Sequence, residues 1–411
     1  MVMMDACKDG ERIDWETIHG LMVDAIYGGR VDNTYDMRVL TTYLAQMFTG
    51  AAIGADGKGK PLIRDVAVPR SDDLSDFTKL ISKLPDTDSP AIFGLPESVE
   101  RSVQRTASEG VIQQLRHLSI ASLEGSKFQR EQWRERLGPI IESWDKLAAS
   151  SPDIKKKGPR RLSKTGQVTH SDMDPVDAFV VMEEASASEL CSMVDHSLGL
   201  LKKVVYGTAL LTPQVHALGT ALMANELPGE WTKSWEGPEA PLPWLAGLIR
   251  KKSSLAKWSS LVAQRALLDH PVNLSDLFHP NTFLSAVRQQ TARLIGCSMD
   301  SLHMVSSWER GRVKNAQLPI SVEGLHLQGA SFSSGMLQEQ GLKDPDLTSM
   351  PEVSLAFVEG ERSSPYQAGQ AIPVPLYFTL NRERTLAEVD LPTSKDPERW
   401  VLAGVALFLS D

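Results

Sequence analysis

The chain has 411 residues, room for roughly two or three domains. Apolar residues make up 42% and charged residues 23%, a balance that supports a buried core and argues against a disordered polypeptide. A formal net charge of −9 gives no overall attraction to nucleic acid or to an anionic membrane surface, so neither partner is expected.

No run of about 18 apolar residues occurs, so membrane insertion is not expected. The opening MVMMDACKDGERIDW lacks a basic stretch followed by an apolar one, so no secretory leader is expected either. Cys7, Cys191 and Cys297 lie far apart. They suit a reducing compartment and form no CxxC metal knuckle.

Asp14 can cap a first helix whose apolar residues Trp15, Ile18, Leu21, Met22, Ala25 and Ile26 recur every three or four positions. Gly28 and Gly29 are expected to end it in a left-handed C-cap. Asp36 is expected to cap a second helix carrying Met37, Leu40, Tyr43, Leu44, Met47 and Phe48 inward. Two short amphipathic helices make a hairpin whose apolar faces need a partner, within the chain or outside it.

Residues 49–73 read as loop, with one extended piece around Ile63–Val68. Helical spacing resumes over 75–84, 97–123 and 127–149, and Gly138-Pro139 predicts a break or kink in the last of these. The polar, Pro- and Gly-containing stretch 151–175 reads as a mobile loop. A long helix follows Pro175, then helices near 213–224, 243–265 and 280–294. From about residue 315 the period changes from 3.6 to two: Leu318, Ile320 and Val322 alternate, as do Val353, Leu355 and Phe357. The runs IPVPLYFTL and WVLAGVALFL are rich in strand formers, and Pro373 and Pro375 belong at an edge or bulge. The class is α+β: helical first, then an all-β unit.

Candidate chemistry is sparse. GADGKGKP (54–61) places Gly54, Gly59 and Lys60 in a G-x-x-x-x-G-K pattern. Pro61 stands where a magnesium-binding hydroxyl belongs, and no helix opens behind it, so a surface loop is favoured over a nucleotide site. KKKGPRRLSK (155–164) carries six basic residues but no aromatic for base stacking, and reads as a solvated loop. RQQTAR (288–293) reads as a face for surface or interdomain ion pairs. The nine histidines are scattered without metal-ligand spacing, and Glu183-Glu184 reads as solvated charge. Trp133, Trp144, Trp231, Trp235, Trp244 and Trp258 read as packing anchors. No catalytic residue, cofactor site or metal site is expected.

Particular segments carry more. AIYGGRVDNTYDMRVLTTYL (25–44), with Gly28, Gly29, Arg30, Asp36 and Arg38, resembles the lid of the sixth AAA+ module of dynein heavy chains. KLPDTDSPAIFGLPESVERSVQR (83–105) resembles the family's next landmark. SWEGPEAPLPWLAGL (234–248) and LFHPNTFLSAVRQQTAR (277–293) resemble the C-terminal domain that follows the ring. The FGLPESVERS, FHPNTFLSAVRQQTAR and GSKFQREQW segments resemble most the intraflagellar-transport, or second cytoplasmic, class.

The resemblance implies three parts: a lid portion over 1–55, a helical part of the C-terminal domain over 56–314, and its antiparallel, β-barrel-like part over 315–411. It implies a fragment of an ATP-driven, minus-end-directed microtubule motor, whose nucleotide sites and microtubule-binding stalk lie in earlier modules. Implied partners are the rest of the heavy-chain ring, the intermediate, light-intermediate and light chains, and microtubules. Implied locations are cytoplasm, cytoskeleton and cilium. Trp15, Leu21, Leu40 and Leu44, with Gly28, Gly29, Arg30, Asp36 and Arg38, are the expected ring-docking residues. Two other readings stand beside this one: an adaptor that binds acidic partners through 155–164, and a degenerate P-loop NTPase using Lys60.

Overall fold

Asp14 starts the first helix, α1 (Trp15–Leu21), by accepting hydrogen bonds from the Glu16 and Thr17 amides in the computed structural model. The structure describes residues 14–52, 68–69, 71, 73–84, 97–124, 129–150, 173–308, 313, 316–340, 345–360, 364–367 and 369–409. The expected glycine cap is replaced: the helix runs on as a π-helical turn, Met22–Tyr27, and a 3-10 turn, Gly28–Arg30. Gly29 is not left-handed. Short 3-10 and π turns commonly absorb the end of an α-helix in this way.

Helix α2 (Thr34–Met47) begins a little before Asp36, because the extended Asn33 accepts the Tyr35 amide. Asp36 sits instead in the first turn, where its charge suits the helix dipole. Helices α3 (Leu74–Ile81) and α4 (Glu97–Glu124) follow.

Helix α5 (Arg130–Ser150) runs unbroken through Gly138-Pro139, against the expected break. An interior proline costs about 3 kcal/mol. Trp133, Leu137, Ile140, Ile141 and Trp144 are all buried on this helix, and each contributes about 1.5–3 kcal/mol, so packing outweighs the proline.

Helices α6 (Pro175–Val205) and α9 (Pro241–Ala263) pack together and form the spine. Both start on a proline, whose missing N–H is harmless in a first turn. Leu190, Val194, Leu198 and Leu201 of α6 join Trp244, Leu245 and Leu248 of α9 in a core with α5 and α7 (Pro213–Met223). The six tryptophans expected as anchors are all buried, and five of them lie in this core. Trp231, on the short helix α8 (Gly229–Thr232), stacks on Trp244 at 5.4 Å between ring centres. Val176, Phe179 and Val180, with Leu255 and Trp258, belong to a second core shared with α10 (Pro280–Ile295) and the strands. One helix pair thus ties the helical half to the strand unit.

The strands are β1 (Val272–Asn273), β2 (Leu302–Ser307), β3 (Ile320–Glu323), β4 (Leu325–Gln328), β5 (Ser331–Ser333), β6 (Met336–Gln338), β7 (Leu347–Ser349), β8 (Val353–Glu359), β9 (Ala371–Tyr377), β10 (Thr385–Pro392) and β11 (Ala406–Leu409). They lie in a four-stranded sheet ordered β1-β3-β8-β2, a five-stranded sheet ordered β10-β9-β11-β4-β7, and the hairpin β5-β6. Among the described residues none of these sheets closes, and the β1–β3 and β11–β9 pairs are parallel. The α+β class stands; the fully antiparallel, barrel-like arrangement is not seen there.

Alternation fixes the inward faces: Ile320 and Val322 on β3, and Ile372, Val374 and Leu376 on β9, are all buried. The run WVLAGVALFL divides into the end of α11 (Pro397–Leu402) and β11, with Gly404 at φ 65° making the turn.

Candidate functional site

The N-terminal hairpin does not stand free of the strand unit. Helix α2 packs against α11, and the Tyr35 hydroxyl donates to Glu388 Oε2 on β10 at 2.9 Å. Arg38 Nη1 donates to the Pro373 carbonyl on β9 at 3.1 Å. The strand register explains why that carbonyl is available. Pro373 stands opposite Asp390 of β10, whose amide donates to Ser306 Oγ and leaves the Pro373 carbonyl unused on that side. On the other flank β11 pairs only with Leu376 and Tyr377, so the proline segment of β9 is an open edge there. The guanidinium of Arg38 serves as the missing donor.

Within the hairpin, Met22 and Leu44 are buried, and His19 Nε2 lies 2.7 Å from the Phe48 carbonyl, tying its two arms. The expected docking residues divide. Leu44 is buried; Trp15, Arg38 and Leu40 are half-buried; Leu21, Gly29, Arg30 and Asp36 are exposed; Gly28 opens the 3-10 turn. Outward, the hairpin leaves Leu21, Ile26, Tyr27 and Phe48 at 37%, 57%, 42% and 39% exposure. Part of the apolar stripe is therefore satisfied internally and part is not.

A second feature escaped sequence reasoning. Glu183 is not solvated charge: it is 3% exposed. Its Oε1 accepts the amides of Phe278 and His279 at 2.6 and 2.8 Å, and its Oε2 lies 2.9 Å from His279 Nδ1. Helix α10 opens at His279, which makes no side-chain cap of its own, so a carboxylate 96 residues away does the capping. Glu183 also holds the His279 imidazole above its usual pKa, through their hydrogen bond first and its charge second. Glu184 accepts from Ser259 and pairs with the buried Lys252 at 3.7 Å.

Lys251, also buried, donates to the carbonyls of Ser275 and Leu277 and lies over the rings of Trp235 and Phe278. These charges are spent on fixing α6, α9 and the segment entering α10. A cleft of about 320 Å³ beside them is lined by residues of both halves, among them Trp235, Lys251, Phe278, Phe378 and Arg384. Arg384 pairs with Glu236 across it at 3.0 Å. Among the described residues no group of three His, Cys, Asp or Glu side chains could hold a metal ion, and no helix is long and apolar enough to cross a membrane. The Gly54–Lys60 pattern, the extended piece 63–67, the basic stretch 155–164 and nearly all of 151–175 lie outside the described residues. In RQQTAR, Gln290 accepts the Val176 amide and Arg293 reaches the Met173 carbonyl, so this face holds the start of α6; among the described residues it forms no ion pair.

The protein belongs to the dynein heavy chain family: residues 105–409 match the C-terminal domain of dynein heavy chains, and residues 1–99 match their AAA lid domain. It is similar to cytoplasmic dynein 2 heavy chain 1 of Homo sapiens, with 38% identity over 412 residues covering 100% of this chain and 9% of that protein. The Tripneustes gratilla counterpart is 39% identical over 98% of this chain and 9% of its own length. That of Chlamydomonas reinhardtii is 36% identical over 98% of this chain and 10% of its own length. The sequence thus spans about a tenth of the curated relatives it matches, and corresponds to their C-terminal part, most like dynein 2.

Proposed function

We propose that this protein is the brace at the end of a minus-end-directed, ATP-hydrolysing microtubule motor that serves retrograde intraflagellar transport. In this reading residues 1–55 dock on the rest of the AAA+ ring and residues 56–411 lie across it, the strand unit over 315–411 forming a barrel-like end. What it adds is mechanics, not nucleotide chemistry. Its working partners are the preceding heavy-chain modules and, through the whole complex, the intermediate, light-intermediate and light chains and the microtubule. Its setting is cytoplasm, cytoskeleton and cilium.

The observation that carries this reading is the divided hairpin. One side grips the strand unit through Arg38 and Tyr35, and the other presents Leu21, Ile26, Tyr27 and Phe48 outward. These side chains are already part-covered, so burying the rest of their surface is worth on the order of 3–5 kcal/mol before ordering costs. A contact of that size would transmit ring movement to the strand unit instead of slipping.

Leu21, with the half-buried Trp15 and Leu40, supplies the apolar contact in this proposal, and the buried Leu44 backs it from within. Gly28 and Gly29 shape the turn, and Arg30, Asp36 and Arg38 set its orientation. The test is charge reversal in the full heavy chain. Arg30→Glu or Asp36→Lys should change gliding velocity or run length while leaving ring assembly intact. Unchanged motility in a normally folded motor would remove the brace role from this corner.

A further inference from the structure

A groove of about 440 Å³ lies beside the hairpin seam, between α10 and the strands; Asn281, Leu284, Arg288, Met304, Phe357 and Glu388 are among its lining residues. Its floor is apolar, with Leu284 and Phe357 only 6% and 8% exposed. On one wall, Glu388 accepts the Tyr35 hydroxyl. On α10, Arg288 has its Nε buried without a hydrogen-bond partner, and no carboxylate among the described residues pairs with its guanidinium. The other shielded cations differ: Lys251 and Lys252 are each held by oxygen partners.

A guanidinium that has lost water from its Nε edge without gaining a counter-charge carries a desolvation cost, which a carboxylate arriving at its Nη groups relieves. A free inorganic anion would leave the apolar floor unused, and a basic segment would be repelled by Arg288. We propose that this groove binds an acidic peptide segment of a partner protein. An Asp or Glu side chain of the segment pairs with the Nη groups of Arg288, and an adjoining apolar side chain lies on Leu284, Met304 and Phe357.

The test uses the purified 411-residue protein and an array of acetylated, amidated octapeptides that vary in acidic, basic and apolar residues. Peptides with Asp or Glu next to Leu, Met or Phe should bind, and their Gln or Asn counterparts should not. Arg288→Gln should weaken acidic-peptide binding by about 10- to 100-fold. Arg288→Glu should transfer the preference to basic peptides. Met304→Lys, which keeps Arg288 and spoils the floor, should remove the requirement for an apolar neighbour. Unfolding curves matching the parent protein qualify each variant. Binding indifferent to peptide charge, equal binding by Arg288→Gln, or no binding by any peptide would overturn the proposal.

Discussion

Arg38 on the second helix and Pro373 on β9 are joined by a 3.1 Å hydrogen bond across 335 residues of sequence. A cationic donor meets a carbonyl left open because β11 stops short of this part of β9. This bond, with the one between Tyr35 and Glu388, fixes the hairpin to the strand unit.

Removing the donor should therefore loosen one helix and not the whole protein. Arg38→Ala is expected to cost about 1–3 kcal/mol locally. It should accelerate amide hydrogen exchange over Thr34–Met47 while the spine helices stay protected. The exposed Arg30→Ala serves as control, with no change expected.

Glu183→Ala should be far more damaging. It strips two amides at the start of α10 of their acceptor, in a place with little water access. A loss of about 2–4 kcal/mol is expected from the unsatisfied groups. Chemical denaturation should show it, whereas Glu131→Ala, on an exposed helix position, should change little.

His279 makes this corner pH-dependent. Its folded pKa is raised above the ordinary 6.5, first by the hydrogen bond to Glu183 and then by the charge of that carboxylate. The stabilisation is complete below about pH 6.5 and is lost as pH rises through the folded value. The imidazole is 52% exposed, so the contribution is screened and stays below about 1 kcal/mol. The stability gap between the parent and His279→Ala should accordingly be larger at about pH 5.5 than at about pH 8.5.

Two cysteines should separate cleanly. Burial pushes the Cys191 thiol up to about 11, with Lys252 opposing and Asp195 adding. Cys297 is only half-buried. In a Cys7→Ser background, a thiol reagent at about pH 8 should label Cys297 in the native protein. Cys191 should react only after denaturant unfolds the molecule.

The helices from Leu74 to Ile295 were legible because their apolar residues keep a 3.6-residue rhythm, and the tryptophans because so much apolar area needs burial. Other features were not legible, for identifiable reasons. The Asn33 cap is hidden behind Asp36, since both side chains can cap and only the backbone turn decides. The passage of α5 through Pro139 depends on tertiary packing that local propensity does not contain. Glu183 looks like any helical acid until its partners arrive from 95 residues away; the absence of a capping side chain ahead of Pro280 was the one available hint. In the hairpin the sequence disclosed the apolar stripe but not its division, because Arg38 meets Pro373 only after the strands have paired.

That division is most directly tested by comparing hydrogen exchange over Leu21–Phe48 in the isolated 411-residue protein and in the full heavy chain. The π-helical turn Met22–Tyr27 should gain strong protection in the full motor, while Thr34–Met47, already held by the strand unit, should change less. Equal exchange of Met22–Tyr27 in both would mean that nothing covers the outward face, and the brace would have no anchor on the ring.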